Sequence, residues 1–388
     1  MVLSEVVART DVGMVRDHNE DAHLILEELS LLAVADGMGG LAHGEVAAAT
    51  AVKTLRAAND SVRQVLDAIG EEPDALGRLQ LAQTLELLTN LCNTQIQRTL
   101  GAGVSGSTLC MAFGLPEHLL VCNTGDSRAY LFRSGRLRRI TEDHTVAAAQ
   151  LRAGVISQQE HDQSPYQHML YQALGTQSEV DPDLFLEPLA KGDVVLLCSD
   201  GLTGPVSETE IEALLAAHSA NLDEAAGLLI EAANENGGPD NTTIVLARAA
   251  SGLTPEEADA RQDALNNSRA LAGLSTYERR MLQLYLEVHE RSSGSFDPAD
   301  GAHLLLSGSA CQGDTVLTTG DTFGLHAFAD EALAEPHAEV LEPSRVAIIT
   351  PEAYARVEQR RSLVAARLIK GLFRELALAT SPIHAAEE

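Results

Sequence analysis

The stretch VADGMGGLAHGE, residues 34–45, joins an apolar run to an alanine-rich segment through an aspartate and a glycine-rich turn. The run LLAVAD (31–36) predicts a buried strand, and GEVAAATAVKTLRAA (44–58) predicts a helix behind it. Asp36 therefore stands at the end of a strand, beside a turn whose backbone can approach a ligand closely. Such a turn can hold either the phosphates of a nucleotide or a metal ion.

Further aspartates flank three more strand-like runs, which are HLLVCNTGD (118–126), DVVLLCSD (193–200) and NTTIVLARA (241–249). Asp126 and Asp200 end the first two runs, and Asp240 stands just before the third. An antiparallel arrangement of the last strand brings Asp240 to the same sheet edge as Asp36 and the other two. Because four carboxylates gathered there repel one another strongly, we expect a cation among them.

Oxygen donors without a histidine or cysteine cluster indicate a hard ion, Mg²⁺ or Mn²⁺, rather than Zn²⁺. Two such ions ~3.5–4 Å apart can share a water, lower its pKa and supply a nucleophile to phosphorus. A phosphate substrate also requires a forked cationic donor, for which Arg16 in GMVRDHNEDAH (13–23) is the candidate. Arg16 precedes the acidic pair Glu20 and Asp21.

The ordered set RxxNEDA, ADGMGG, SGST, GDSRAY, DHT, SDGL and GPDNTT resembles the metal-dependent protein phosphatases of the PPM (PP2C-like) family in their bacterial form. The resemblance runs from about residue 5 to 248. It implies an α+β fold, a β-sandwich flanked by helices, with two or three Mn²⁺ or Mg²⁺ ions. It also implies that phosphoserine and phosphothreonine proteins, the products of a Ser/Thr kinase, are the substrates.

The resemblance assigns roles to individual residues. It implies that Asp36 bridges two metals, that the Gly37 carbonyl binds one of them, and that Asp200 and Asp240 hold the other. Asp126 with Asp200 resembles a weaker third-metal site. Arg16 resembles the phosphate clamp, and Asp21 is expected near the metals through water.

Two positions depart from the family pattern. Met38 stands where many eukaryotic members have a histidine, and a thioether cannot protonate a leaving group. The flap, SPYQHMLYQALG (164–175), has Gln167 and His168 near the more usual Arg-Asn pair, which leaves substrate preference open. His144 in TEDHTV fits the pattern, but we keep it outside the catalytic set because a histidine in a polar loop usually makes local hydrogen bonds.

Two other functions compete with hydrolysis. The segment DGMGGLA (36–42) fits GxGxxA, the fingerprint of a dinucleotide-binding oxidoreductase. That fold requires a second strand soon after the helix, whereas Asn59 and Asp60 indicate a helix exit. Asp36, beside the turn, would also repel the pyrophosphate of a dinucleotide. A phosphoprotein-binding module without turnover is the other alternative, which retention of the three metal-binding aspartates disfavours.

The chain is expected to contain a phosphatase domain over residues 1–248, a linker over 249–267 and a second domain over 268–388. The second domain resembles the cyclic-nucleotide-binding domain of the catabolite-activator type, through LAGLSTYERRML (271–282), HLLLSGSA (303–310) and VLTTGDTFGLHAF (316–328). The resemblance implies a smaller jelly-roll β-barrel with flanking helices. Ser275 and Glu278 predict a capping box at the start of the first helix of this domain.

The phosphate-binding residues of that second family are missing. Leu325 and His326 follow Gly324 where a glutamate is required, and EPHAEV (335–340) offers no arginine. A cyclic phosphate would therefore lack its charge partner, so we expect no ordinary binding of cyclic AMP. Regulation, protein docking or a homodimer through this domain are the favoured roles, and another ligand is the alternative.

The composition excludes several classes of partner. Lys and Arg total 27 against 56 Asp and Glu, a formal net charge of −29, which disfavours nucleic acid and anionic membranes as partners. The five cysteines form no CxxC pair, which is typical of buried thiols in a reducing compartment. No signal peptide or membrane span is recognisable, so we expect a cytoplasmic protein.

Overall fold

The computed structural model describes residues 1–39, 43–71, 73–103, 105–296, 300–328 and 338–380. Residues 40–42 of the glycine turn and residues 335–337 of EPHAEV lie outside these ranges. The chain divides into two compact units: unit 1 comprises Met1–Pro73 and Gln80–Pro255, and unit 2 comprises Asp74–Leu79 and Glu256–Glu388. None of the helices in the described ranges is long and apolar enough to cross a membrane.

Unit 1 is an α+β structure built on two antiparallel sheets. Its strands are β1 (Leu3–Asp11), β2 (Asp21–Leu26), β3 (Leu31–Met38), β4 (Gly106–Ser107), β5 (Leu109–Leu115), β6 (His118–Thr124), β7 (Arg128–Arg133), β8 (Arg136–Arg139), β9 (Asp183–Pro188), β10 (Val194–Cys198) and β11 (Thr242–Ala249). The first sheet has the order β1-β11-β10-β7-β8, and the second has β2-β3-β5-β6-β9 with β4 also paired to β3. Strands β10 and β11 lie against β3 and β5, so the two sheets form a sandwich.

Unit 1 also contains helices, several of which pack against the two sheets. They are α1 (His43–Ala57), α2 (Asn59–Ile69), α3 (Ala75–Leu100), α4 (Val146–Arg152), α5 (Gln158–Asp162), α6 (Asp200–Thr203), α7 (Glu208–His218) and α8 (Leu222–Glu235), of which α3 begins within the residues grouped with unit 2. Alternate residues of β10, Val194, Leu196 and Cys198, pack in one cluster with Ile211 of α7 and Leu229 of α8. Because the other face of β10 meets the second sheet, its sequence is continuously apolar rather than alternating.

Strand pairing decides between the competing folds. Strand β3 pairs antiparallel with both β2 and β5, and helix α2 follows α1 directly. A dinucleotide-binding fold requires a parallel strand after α1, so that alternative is wrong. The expected antiparallel placement of the last strand is confirmed, since Cys198 of β10 faces Ile244 of β11.

Two local features at β7 fix its position. A two-residue hairpin turn at Ser134 and Gly135 joins β7 to β8, and both residues have positive φ (51° and 79°), as a turn of type I′ requires. At the end of β7, Arg133 forms a buried ion pair with Asp193. The Arg133 side chain is 3% exposed and the Asp193 side chain 1% exposed. Two N–H···O hydrogen bonds of 2.8 and 2.6 Å join the guanidinium to the carboxylate.

Unit 2 combines two small sheets with helices. Its elements are α9 (Pro255–Asn267), which begins at the last residue of unit 1, α10 (Thr276–Leu282), β12 (Glu287–Arg291), β13 (Gly294–Phe296), β14 (Ala302–Ser307), β15 (Ala310–Gln312), β16 (Thr315–Leu317), β17 (Thr322–Phe323), β18 (Ala338–Val340), β19 (Ser344–Ile349), α11 (Pro351–Arg360) and α12 (Ser362–Thr380). The sheet orders are β12-β19-β14-β17 and β13-β18-β15-β16, and among the described residues no strand pairing closes them into one barrel. Side chains of both sheets, including Leu305, Ala310 and Val346, share one core.

Two helices of unit 2 can be compared with predictions made from the sequence. The predicted capping box is confirmed: the Ser275 hydroxyl accepts from the Glu278 backbone N–H, and the Glu278 side chain accepts from the Ser275 backbone N–H. The segment 249–267, expected as a linker, contains α9, which buries Ala258, Ala264 and Leu265. Small alanine side chains among many charged residues gave this buried helix face too weak an apolar pattern to be recognised.

Candidate metal centre

Five carboxylates converge at one end of the sandwich. Asp36 lies near the end of β3, opposite Asp21 of β2 in the strand register. Asp126 follows β6, Asp200 begins α6 directly after β10, and Asp240 precedes β11. The charges of the other four carboxylates all act on Asp36, which places this side chain at the centre of the group. The sequence prediction of one acidic sheet edge therefore corresponds to one cluster in the structure.

Asp36 and Gly37 are held by the SGST segment and by a close backbone approach. The Asp36 backbone N–H donates to Thr108 Oγ1 at 2.9 Å, and the Asp36 carbonyl accepts from the Thr108 N–H at 2.8 Å. A Cβ on Gly37 would lie 2.1 Å from the Gly44 carbonyl oxygen. Only glycine fits there, so the Asp-Gly pair reflects packing of the turn against the start of α1.

A second Asp-Gly pair is fixed in the same way at the end of β10. A Cβ on Gly201 would lie 1.9 Å from the Asn241 carbonyl oxygen, which again excludes any side chain. One residue before Asp200, the Ser199 hydroxyl donates to Asp21 Oδ2 at 2.7 Å. This bond ties β2 of the second sheet to β10 of the first, so both sheets contribute to the same acidic cluster.

The loop between β1 and β2, residues 12–20, is anchored by one buried side chain, that of Asn241. Its Oδ1 accepts from the Glu20 N–H at 2.8 Å, and its Nδ2 donates to the carbonyls of Val12 and His18, both at 2.9 Å. The motif GPDNTT therefore positions the loop that carries Arg16.

Arg16 lies beside the acidic cluster. Its Nη2 donates to Asp240 Oδ2 at 2.7 Å, with the Arg16 side chain 50% exposed. An ion pair this exposed contributes only ~0–1 kcal/mol, so the guanidinium can exchange its partner for a substrate anion at little cost.

The pKa values of the cluster are raised together. Burial, followed by the charges of the other four carboxylates, raises the pKa of Asp36 well above its ordinary value. Burial is also the main cause that raises the pKa of Asp21 to about 7 and that of Asp126 to about 8. Burial and then the charge of Asp240 raise the pKa of Asp200. A divalent cation would relieve this repulsion, and a donor set of carboxylate and carbonyl oxygens suits Mg²⁺ or Mn²⁺.

His144 is a structural residue. Its ring is 1% exposed, Nδ1 accepts from the Gly125 N–H at 3.3 Å and from Gln172 Nε2 at 3.1 Å, and Nε2 lies 3.1 Å from Asp183 Oδ2. With Nδ1 accepting, Nε2 carries the proton and donates to the carboxylate. These contacts agree with keeping His144 outside the catalytic set.

The sequence patterns did not predict the roles of several residues at the site. Thr108 and Asn241 lie within quoted motifs and Ser199 directly precedes Asp200, so only their hydrogen-bonding roles were missed. His168 of the flap was recognised only as a departure from the family pattern. Its Nδ1 lies 4.0 Å from Asp200 Oδ2, which brings a nitrogen donor to the acidic cluster.

Comparison with known protein families gives one clear match. The sequence model described as protein phosphatase 2C matches residues 15–234. The serine/threonine phosphatase stp of Listeria monocytogenes is 36% identical over 241 residues, which covers 61% of this chain and 93% of that protein. The serine/threonine protein phosphatase PstP of Mycobacterium tuberculosis is 38% identical over 243 residues, covering 62% of this chain and 44% of that protein.

Solved structures give the same result for the fold. The structure of PstP/Ppp from M. tuberculosis superposes with a TM-score of 0.55 at 34% identity, covering 64% of this chain and 99% of that one. The catalytic domain of PstP in complex with two manganese ions gives a TM-score of 0.52, also at 34% identity, with coverage of 64% and 99%.

Proposed function

This chain belongs to the protein phosphatase 2C family, and we propose that it hydrolyses phosphoserine and phosphothreonine in proteins with the help of Mn²⁺ or Mg²⁺. The observation that carries this proposal is the cluster of five carboxylates, four of them with raised pKa values, beside an exposed arginine. Such a cluster can keep all its carboxylates ionised only with cations among them, and the arginine adds a donor for the substrate phosphate.

The metal-holding roles follow the sequence motifs. Asp36 would contribute to two metal positions, the Gly37 carbonyl to one of them, and Asp200 with Asp240 to the other. Asp126 and Asp200 would hold a third, weaker ion, while Asp21 would act through water. Bound metal ions supply charge neutralisation and an activated water for attack on phosphorus.

Arg16 and the loop around it bind and orient the substrate. The Arg16 guanidinium, half-exposed and bonded to Asp240 through a single N–H, has further donors for phosphate oxygens. Asn241 holds the loop, so Arg16 meets the phosphate from a fixed direction and loses less conformational entropy on binding.

Unit 2 is proposed as a regulatory domain of the cyclic-nucleotide-binding type, over residues 268–388, following a phosphatase domain of 1–248 and a connecting segment of 249–267. Apart from β15 and β16, which pair in one sheet, successive strands alternate between two four-stranded sheets that share a core, which supports a jelly-roll relationship. Because the glutamate and arginine of the phosphate cassette are missing, we expect no cyclic AMP binding. Micromolar binding in calorimetry would overturn that expectation, and sedimentation would test the homodimer.

The central experiment measures phosphate release from a phosphothreonine peptide by the full chain. Turnover with Mn²⁺ should disappear with EDTA and in Asp200→Asn, since a carboxamide is an uncharged and weaker ligand. Asp223→Asn, a matched change at an exposed aspartate paired with Arg9, should leave turnover intact. Retained turnover in Asp200→Asn would refute the assigned centre, whereas absent turnover in the unmodified chain with metal bound would favour a phosphoprotein-binding module.

A further inference from the structure

A nitrogen donor from the flap meets two carboxylates of the acidic cluster. One ligand atom each from Asp126, His168 and Asp200 lies within 4.8 Å of the other two. Three ligand atoms spread evenly around one ion, at bond lengths of ~2.1 Å, are ~3.6 Å apart. The three side chains therefore need to close by up to about an ångström to share an ion. The His168 side chain is 77% exposed and can make that adjustment.

Asp126 is a buried acceptor that lacks a side-chain donor. It is 8% exposed, and within the described part of the chain no other side chain donates a hydrogen bond to its carboxylate. Arg128 acts on Asp126 through its charge, while its guanidinium is hydrogen-bonded to Asp143. A buried carboxylate with so few partners is costly unless a cation or a further donor reaches it.

Backbone contacts place His168 opposite Asp126. Met169, the next residue, accepts from the Val146 N–H at 2.8 Å, and Tyr171 donates to the His144 carbonyl at 2.9 Å. His144 in turn donates its backbone N–H to Gly125, directly before Asp126, at 3.0 Å. A continuous set of hydrogen bonds therefore connects the turn that carries Asp126 to the flap, so the position of the His168 backbone is determined by the fold.

We propose that Asp126, Asp200 and His168 together bind one divalent transition-metal ion, with the imidazole as the ligand contributed by the flap. The inference rests on the proposed function, because it adds a ligand to the third ion position assigned there. An imidazole ligand favours a transition metal over Mg²⁺, which takes oxygen donors. The ion would also attach the flap, which borders the substrate site, to the ends of β6 and β10.

The test detects the nitrogen ligand directly in the full chain. Metal-stripped protein is loaded with Mn²⁺, and coupling of the ion to imidazole nitrogen is measured by electron spin-echo spectroscopy, together with Mn²⁺ titrations. We expect coupling in the unmodified chain and its loss in His168→Gln, with the weakest Mn²⁺ dissociation constant raised at least ~10-fold. His161→Gln is the matched control, because the His161 ring is bonded to Asp162 within the same region.

The outcomes separate this inference from the proposed function. Coupling that is absent from the unmodified chain at saturating Mn²⁺, or that persists in His168→Gln, overturns the inference even when phosphopeptide turnover depends on Asp200. Coupling that depends on His168 in a chain without turnover supports the metal site and contradicts the phosphatase activity. Since His168 is exposed, its replacement should leave the urea unfolding midpoint unchanged, which confirms that the fold is retained.

Discussion

Replacing Asn241 with alanine should loosen the loop of residues 12–20 and reduce catalysis without removing a metal ligand. The side chain makes three hydrogen bonds to that loop, of 2.8, 2.9 and 2.9 Å, and the residue is 5% exposed. At ~1 kcal/mol for each neutral bond, the free energy of unfolding should fall by ~3 kcal/mol. The freed loop should also raise KM, because Arg16 would no longer be held in one position.

Urea unfolding in EDTA measures the stability change, and initial rates with a phosphothreonine peptide give kcat and KM. Asn221→Ala is the matched control: Asn221 is exposed and caps α8 through one bond to the Glu224 N–H, so its loss should cost only ~1 kcal/mol and leave KM unchanged. An Asn241→Ala variant that loses no more stability than the control, with KM unaltered, would refute the anchoring role.

Two further predictions concern the same centre. In the metal-free protein, burial raises the pKa of Asp21 to about 7 and that of Asp126 to about 8 from 3.8, so the folded chain retains protons that the unfolded chain releases. Stability in EDTA should therefore fall as the pH rises from ~4 to ~8, and an unfolding free energy that rises over this range would contradict the prediction. In Gly201→Ala the added Cβ would lie 1.9 Å from the Asn241 carbonyl oxygen, so this variant should lose turnover and unfold at a lower urea concentration. Gly227→Ala is the control: its Cβ would lie in open space on α8, so it should stabilise the chain by up to ~1 kcal/mol.

The strands that carry the site could be recognised from the sequence because they are buried on both faces. Their apolar runs are continuous, and an aspartate at the end of such a run is conspicuous. The pairing of β10 with β11 was the only further assumption needed to bring Asp200 and Asp240 together, and the structure has that pairing.

The supporting contacts could not be predicted in the same way. Asn241 bonds to residues more than 220 positions away, and no local pattern encodes such a partner. Helix α2 begins at Asn59 directly after α1, where polar residues indicated only a helix exit. In unit 2, strands of two to six residues are too short to show a clear period, so their arrangement in two sheets depends on tertiary contacts.

The buried ion pair of Arg133 and Asp193 affects the position of Asp200, which follows the other end of β10. It joins the end of β7 to the residue before β10, and so fixes Val194 opposite Phe132. A register slip of one residue would separate the two charges in an apolar interior and also displace Asp200 by ~3.3 Å, further than a whole metal–oxygen bond of ~2.1 Å. A charge pair outside the acidic cluster thus fixes the position at which the Asp200 carboxylate leaves the sheet, so that an error in strand alignment costs free energy in the core as well as at the site.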